Sequence, residues 1–110
     1  MSDTAAAYRV CPLAELTVDQ PHRVVLGGRA VCLVRTAETE VHAIDDTCTH
    51  ADVSLAEGEV EGRTIECWLH GSRFDLVTGE PTGLPATRPV AVHDVTIDDS
   101  GDVLVAVKEK

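Results

Sequence analysis

The sequence predicts an all-β chain folded as an antiparallel sandwich or small barrel. Three observations carry that expectation. The apolar residues are mostly aliphatic and rich in valine, with 44% of the chain hydrophobic but only 3% aromatic, and β-branched side chains fit the pleated surface of strands. Short apolar or alternating runs are punctuated by Gly, Pro and Asp turn signals. No long segment repeats with the 3.6-residue period of an amphipathic helix. At 110 residues, the chain has the length of a single domain, 1–110, with one core.

Taken in order, residues 1–7 read as a loose tail and 108–110 as a short polar end. Residues 12–16 suit one helical turn. Residues 22–26 and 29–35 are β-rich runs flanking Gly27-Gly28, a hairpin signal because glycine supplies the positive φ of tight primed turns. Residues 41–45 form a third short strand, and 46–58 then become polar and aperiodic. Strand-like composition resumes over 63–66 and again over 73–76, turning at Thr78-Gly79. Residues 79–89 hold Pro81, Pro85 and Pro89 and must be a loop. Residues 90–97 and 102–107 close the chain as a hairpin around Asp98-Asp99-Ser100-Gly101.

Charge narrows the functions. Nine basic residues against nineteen acidic ones give a net charge of −10. Such a surface repels phosphate, so nucleic acid and anionic membranes are not expected partners. A basic protein partner would be attracted. No apolar run approaches a membrane span, and the N-terminus has neither the basic start nor the apolar core of an export leader. The expected compartment is the cytoplasm. In its reducing environment four cysteines point to metal or redox chemistry before disulfides.

Two polar segments carry that chemistry: Cys48-Thr49-His50 and, sixteen residues later, Cys67-Trp68-Leu69-His70. Each offers one sulfur and one nitrogen donor. Zinc or an iron–sulfur cluster could use the set. Paired zinc ligands usually stand two to four residues apart, so Cys-x-His is tight for two ligands on one ion. It suits a two-metal cluster better, with each loop sending its cysteine to one iron and its histidine to the other.

The pattern Cys-x-His, about sixteen residues, then Cys-x2-His resembles the Rieske family. The resemblance continues through Gly71-Ser72-Arg73-Phe74-Asp75, Thr78-Gly79 and Pro85-Ala86, a match to the family's proline loop over the cluster. It implies an antiparallel β sandwich whose two cluster loops meet at one tip. It implies one [2Fe-2S] cluster per chain, with Cys48 and Cys67 on an inner iron and His50 and His70 on an outer iron. Two thiolates and two neutral imidazoles leave the oxidised cluster uncharged, where four thiolates would leave it doubly negative. Adding an electron is then easier, and potentials rise from about −400 mV to between about −150 and +300 mV.

Departures refine the resemblance. Respiratory-complex members have an extra cysteine in each cluster loop, whereas Ala51, Asp52 and Val53 follow His50 here and Trp68-Leu69 fill the second pair. Those members also use a serine and a tyrosine as hydrogen-bond donors that stabilise the reduced cluster. Ser72 matches the serine, and Phe74 stands where the tyrosine would be. The implied potential lies well below the respiratory type. The implied role is a soluble Rieske-type ferredoxin, an electron carrier and not an enzyme. It would pass one electron at a time from an NAD(P)H-dependent flavin reductase to a terminal oxygenase. The alternatives are a Rieske protein accessory to iron–sulfur cluster assembly, the small subunit of a nitrite-reductase-like complex, and a structural zinc knot.

The remaining chemistry-bearing residues have plainer expectations. Cys11 and Cys32 read as small buried hydrophobes. His22, His42 and His93 read as surface or strand-end residues. Trp68 either docks a partner or shields the cluster, and Pro85 shields it too. Ser72 is expected to hydrogen-bond a cluster sulfur. Glu57, Glu59 and Glu61 read as a solvated edge, with an acidic docking site as the rival reading.

Overall fold

A computed structural model describes residues 7–49, 53–69, 71–82 and 86–107. The elements run β1 (Ala7–Pro12), a helical turn (Leu13–Glu15), β2 (Pro21–Leu26), β3 (Arg29–Ala37) and β4 (Glu40–Asp45). A second helical turn (Leu55–Glu57) follows, then β5 (Glu59–Glu61), β6 (Thr64–Glu66), β7 (Arg73–Asp75), β8 (Val92–Ile97) and β9 (Asp102–Ala106). Six strands pair in the order β1-β9-β8-β4-β3-β2, and β5-β6-β7 form a smaller sheet. Every pairing of strands is antiparallel. The antiparallel all-β expectation holds. Among the described residues, no helix is long and apolar enough to cross a membrane.

Strand β3 explains how the two layers are held. Val31, Cys32, Leu33 and Val34 are all fully buried, because alternate side chains leave a strand on opposite faces. Val31 and Leu33 join Ala43, Val103 and Val105 in one core. Cys32 and Val34 join Ile44 in a second core, which also takes in Ile65, Phe74 and Leu76. A continuous apolar run is the signature of a strand covered on both faces. Ala43 and Ile44 divide in the same way across β4. The second core lies under the small sheet and both loops that carry the cysteine–histidine pairs.

The turns follow local chemistry. Gly27 and Gly28 both take positive φ between β2 and β3, as that hairpin requires. Asp98 Oδ1 accepts the backbone N–H groups of Ser100 and Asp102 at 3.0 and 2.9 Å, an Asx turn that closes the last hairpin. Gly79 has a φ of 79°. A Cβ there would overlap the Val90 carbonyl oxygen, so the close approach of these two segments requires glycine.

Several boundaries differ from the sequence reading. Strand β1 begins at Ala7, inside the expected tail, and it pairs with β9. Its residues alternate between exposed and half-buried, a weak pattern that gains definition only from its partner. Arg9 reinforces the pairing by bridging Asp98 at 2.8 Å and also Asp102. The residues Glu59–Glu61 are an edge strand, with Val60 turned towards the core and the two glutamates exposed. Strand β3 runs two residues beyond 35, through an irregularity between Arg35 and Ala37.

Candidate metal centre

The first loop leaves β4 through two consecutive aspartates whose carboxylates serve different elements. Asp45 accepts Arg29 through both oxygens at 2.8 Å and lies 2.9 Å from His93 Nε2. Burial would raise its pKa, but hydrogen bonds from His93 and Arg29 outweigh that and hold it at about 2. Asp46, 2% exposed, accepts the Ser54 hydroxyl at 2.5 Å and the Ala56 N–H at 2.9 Å. Arg23 Nε approaches the same carboxylate at 3.2 Å.

Beyond these anchors the loop folds back on itself. Thr47 and Ser54 form an isolated antiparallel bridge, and the Cys48 N–H donates to the Val53 carbonyl at 3.0 Å. Cys48 is 2% exposed. Thr49 donates its hydroxyl to the Arg88 carbonyl at 2.8 Å, which ties this loop to the proline-rich segment.

The second loop joins β6 to β7. The Cys67 N–H donates to the Ser72 carbonyl at 2.6 Å, and the Gly71 N–H returns to the Cys67 carbonyl at 2.9 Å. Cys67 and Ser72 are fully buried, whereas Trp68 and Leu69 are 50% and 39% exposed. Ser72 Oγ accepts the Ala86 N–H at 3.0 Å. The proline-rich segment is also laced to β7 through Thr82 N–H to the Arg73 carbonyl at 2.7 Å and an isolated bridge between Phe74 and Pro81.

Cys48 and Cys67, nineteen residues apart in sequence, pack into the same core, with Phe74 and Ala86 beside them. His50, His70 and Pro85 lie outside the described residues. Among the described residues, which include all four cysteines, there is no disulfide and no cluster of three metal-ligating side chains. The donor chemistry fits an iron–sulfur cluster. Two cysteines, uncommitted to a disulfide, are buried in one core at the roots of two tightly closed turns, and a histidine belongs to each turn by sequence.

The other candidates separate from this site. Cys32 is buried in the same core, where burial, with the Asp46 charge adding to it, holds its thiol far above its ordinary pKa. It packs as a hydrophobe. Cys11 is a correction, being only partly buried on β1; burial, then Glu15 and Asp102, raise its thiol pKa. His93 is another correction, because its side chain is fully buried against Asp45. A strand-start position hid this: Asp45 supplies the partner that makes burial of a polar ring affordable. His42 is partly buried and lies 2.8 Å from Glu40. His22 is also partly buried, and its enclosed Nε2 has no hydrogen-bond partner among the described residues. Sequence reasoning missed Asp45, Asp46 and Arg29. The available signal was two acids in succession where an apolar strand meets the first motif.

A family model described as the Rieske [2Fe-2S] domain matches residues 6–104. The chain belongs to the Rieske [2Fe-2S] family. It is 36% identical over 102 residues to ferredoxin CarAc of Metapseudomonas resinovorans, covering 93% of this chain and 94% of that one. It also resembles the solved ferredoxin of carbazole 1,9a-dioxygenase from Nocardioides aromaticivorans IC177. That structure superimposes with a TM-score of 0.89 at 38% identity, over 94% of this chain and 100% of that one. A third likeness is to a ferredoxin solved in a complex of reduced oxygenase and oxidised ferredoxin in carbazole 1,9a-dioxygenase. There the TM-score is 0.84 at 35% identity, over 90% of this chain and 100% of that one. This Rieske protein is an electron carrier of the ferredoxin type, and its cofactor is a [2Fe-2S] cluster.

Proposed function

We propose that this ferredoxin accepts single electrons from an NAD(P)H-dependent flavin reductase and delivers them to a terminal oxygenase. Cys48 and Cys67 hold the inner iron of its cluster, and His50 and His70 hold the outer iron. The observation that carries the ligand assignment is the burial of Cys48 and Cys67 within one core, each at the root of a turn closed by its own backbone N–H. When bound, the cluster supplies a reversible one-electron couple.

The protein's own residues shape how that couple is reached. The cysteines face the apolar interior, which withholds water from the sulfur side. Trp68 and Leu69, next to Cys67, present apolar surface to solvent, and aromatic residues of this kind anchor protein contacts. We assign them to partner docking. The chain itself transforms no organic substrate in this reading; that chemistry belongs to the oxygenase. The cytoplasm is the proposed compartment, because none of the four cysteines forms a disulfide. Kinship with ferredoxins of dioxygenase systems favours this reading over an assembly accessory or a nitrite-reductase-like subunit.

Anaerobically reconstituted protein tests both parts. Two irons and two acid-labile sulfides per chain, reduction by one electron, and reduction by NAD(P)H only when a flavin reductase is added are the expected results. Substitution of Cys48→Ser or His70→Ala should strip iron. Zinc in place of iron, or full iron retained by these variants, would overturn the ligand assignment. Failure of the reduced protein to support any aromatic-ring oxygenase would overturn the partner assignment.

A further inference from the structure

Asp46 engages both sides of the first cluster loop through its backbone and its carboxylate. Its backbone N–H donates to the Ala30 carbonyl on β3 at 3.1 Å, and its carbonyl accepts the Leu55 N–H at 2.6 Å. Its carboxylate accepts Ser54 Oγ and the Ala56 N–H on the far side of the same loop. These bonds clasp the loop on both sides of residues 47–53, the stretch containing Cys48 and His50. The side chain is 3% exposed, and the facing cation, Arg23 on β2, is 54% exposed.

We propose that Asp46 positions the first cluster loop and that its buried charge, partly offset by Arg23, helps to set the reduction potential. This inference rests on the ligand assignment above. Asp46 stands two residues before Cys48 and acts through the loop. A buried carboxylate is weakly screened by solvent. It opposes arrival of an electron nearby, and a cation paired with it favours that arrival. The charge also bears on the Cys32 thiol, which packs in the core that holds Cys48 and Cys67. The field of Asp46 therefore reaches the cysteine side of the site.

The test compares cluster-loaded wild type with Asp46→Asn, Arg23→Gln and Asp46→Ala. The readouts are iron content, the midpoint potential by voltammetry, and the electron paramagnetic resonance spectrum of the reduced protein. Asparagine keeps the shape and can still accept the Ala56 N–H, so Asp46→Asn should retain its iron. Its potential should rise by an amount equal to about a tenfold change in the reduction equilibrium, about 59 mV for one electron. Arg23→Gln should move the potential the other way, by less. Asp46→Ala, which leaves Ser54 and Ala56 without their acceptor, should lose iron severalfold faster to a chelator and broaden the spectrum. If it does not fold, Asp46→Asn and Arg23→Gln decide. An unchanged potential in Asp46→Asn, or shifts of the same sign in Asp46→Asn and Arg23→Gln, would overturn the inference. Retention of iron by Cys48→Ser would instead overturn the ligand assignment, whatever the Asp46 variants show.

Discussion

Ser72 Oγ, fully buried, accepts the backbone N–H of Ala86 at 3.0 Å. The bond fixes the oxygen and leaves the hydroxyl proton to be donated elsewhere. Replacing Ser72 by Ala removes a donor that would stabilise the more negative, reduced cluster. The midpoint potential should fall by about 59 mV, one tenfold step for a one-electron couple, with Phe74 supplying no second hydroxyl. Voltammetry of the Ser72→Ala protein checks this, and an unchanged potential would show that the hydroxyl points away from the sulfur.

Ligand charge provides a larger lever. On the proposed ligation, substituting His50→Cys or His70→Cys would add a negative charge to the cluster wherever the cluster survives. Its potential should drop towards the roughly −400 mV of four-thiolate centres. Redox titration of either variant provides the measurement, and a potential within error of wild type would contradict mixed sulfur and nitrogen ligation.

Asp45 predicts a particular pH dependence. Its folded pKa of about 2 lies below the ordinary value of 3.8. The stability it contributes is complete above the unfolded value and is lost as pH falls through the folded one. Asp45→Asn should therefore cost about 1.5–3 kcal/mol at neutral pH, the range for hydrogen bonds to charged groups. The gap from wild type should stay constant between pH 7 and 5. Urea unfolding at those two values tests the claim, and a gap that closes across that interval would assign the dependence to another group.

Gly79 makes a purely steric prediction. Its left-handed φ and the nearby Val90 carbonyl leave no room for a methyl group. Gly79→Ala should destabilise the fold by about 1–3 kcal/mol, seen as a lower unfolding midpoint. A midpoint equal to wild type would mean that the proline-rich segment can swing aside without cost.

Much of this architecture was legible because local signals agreed with it. The Gly27-Gly28 hairpin, the double-faced β3 run and the Asp98 turn each follow from a few adjacent residues. The family was legible for the same reason, since motif spacing is a local property, and so were the positions of Cys48 and Cys67, which share one core. The relationships that escaped were long-range. His93 looked like a strand-end residue because its partner, Asp45, lies 48 positions away. Strand β1 was missed because its pairing with β9 joins opposite ends of the chain. The role of Asp46 depends on Arg23, Ala30, Ser54 and Ala56 at once, and no spacing rule converges on such a set.

Strand β3 also carries a consequence for how the protein can change over time. It is a partition wall with a tenant on each side: Val31 and Leu33 furnish one chamber, Cys32 and Val34 the other. Closely packed interiors transmit volume changes, so enlarging or trimming Leu33 displaces the wall that backs Cys48 and Cys67. On the proposed ligation, substitutions remote from the iron can thereby detune it, and the distant chamber inherits the constraints of the redox end.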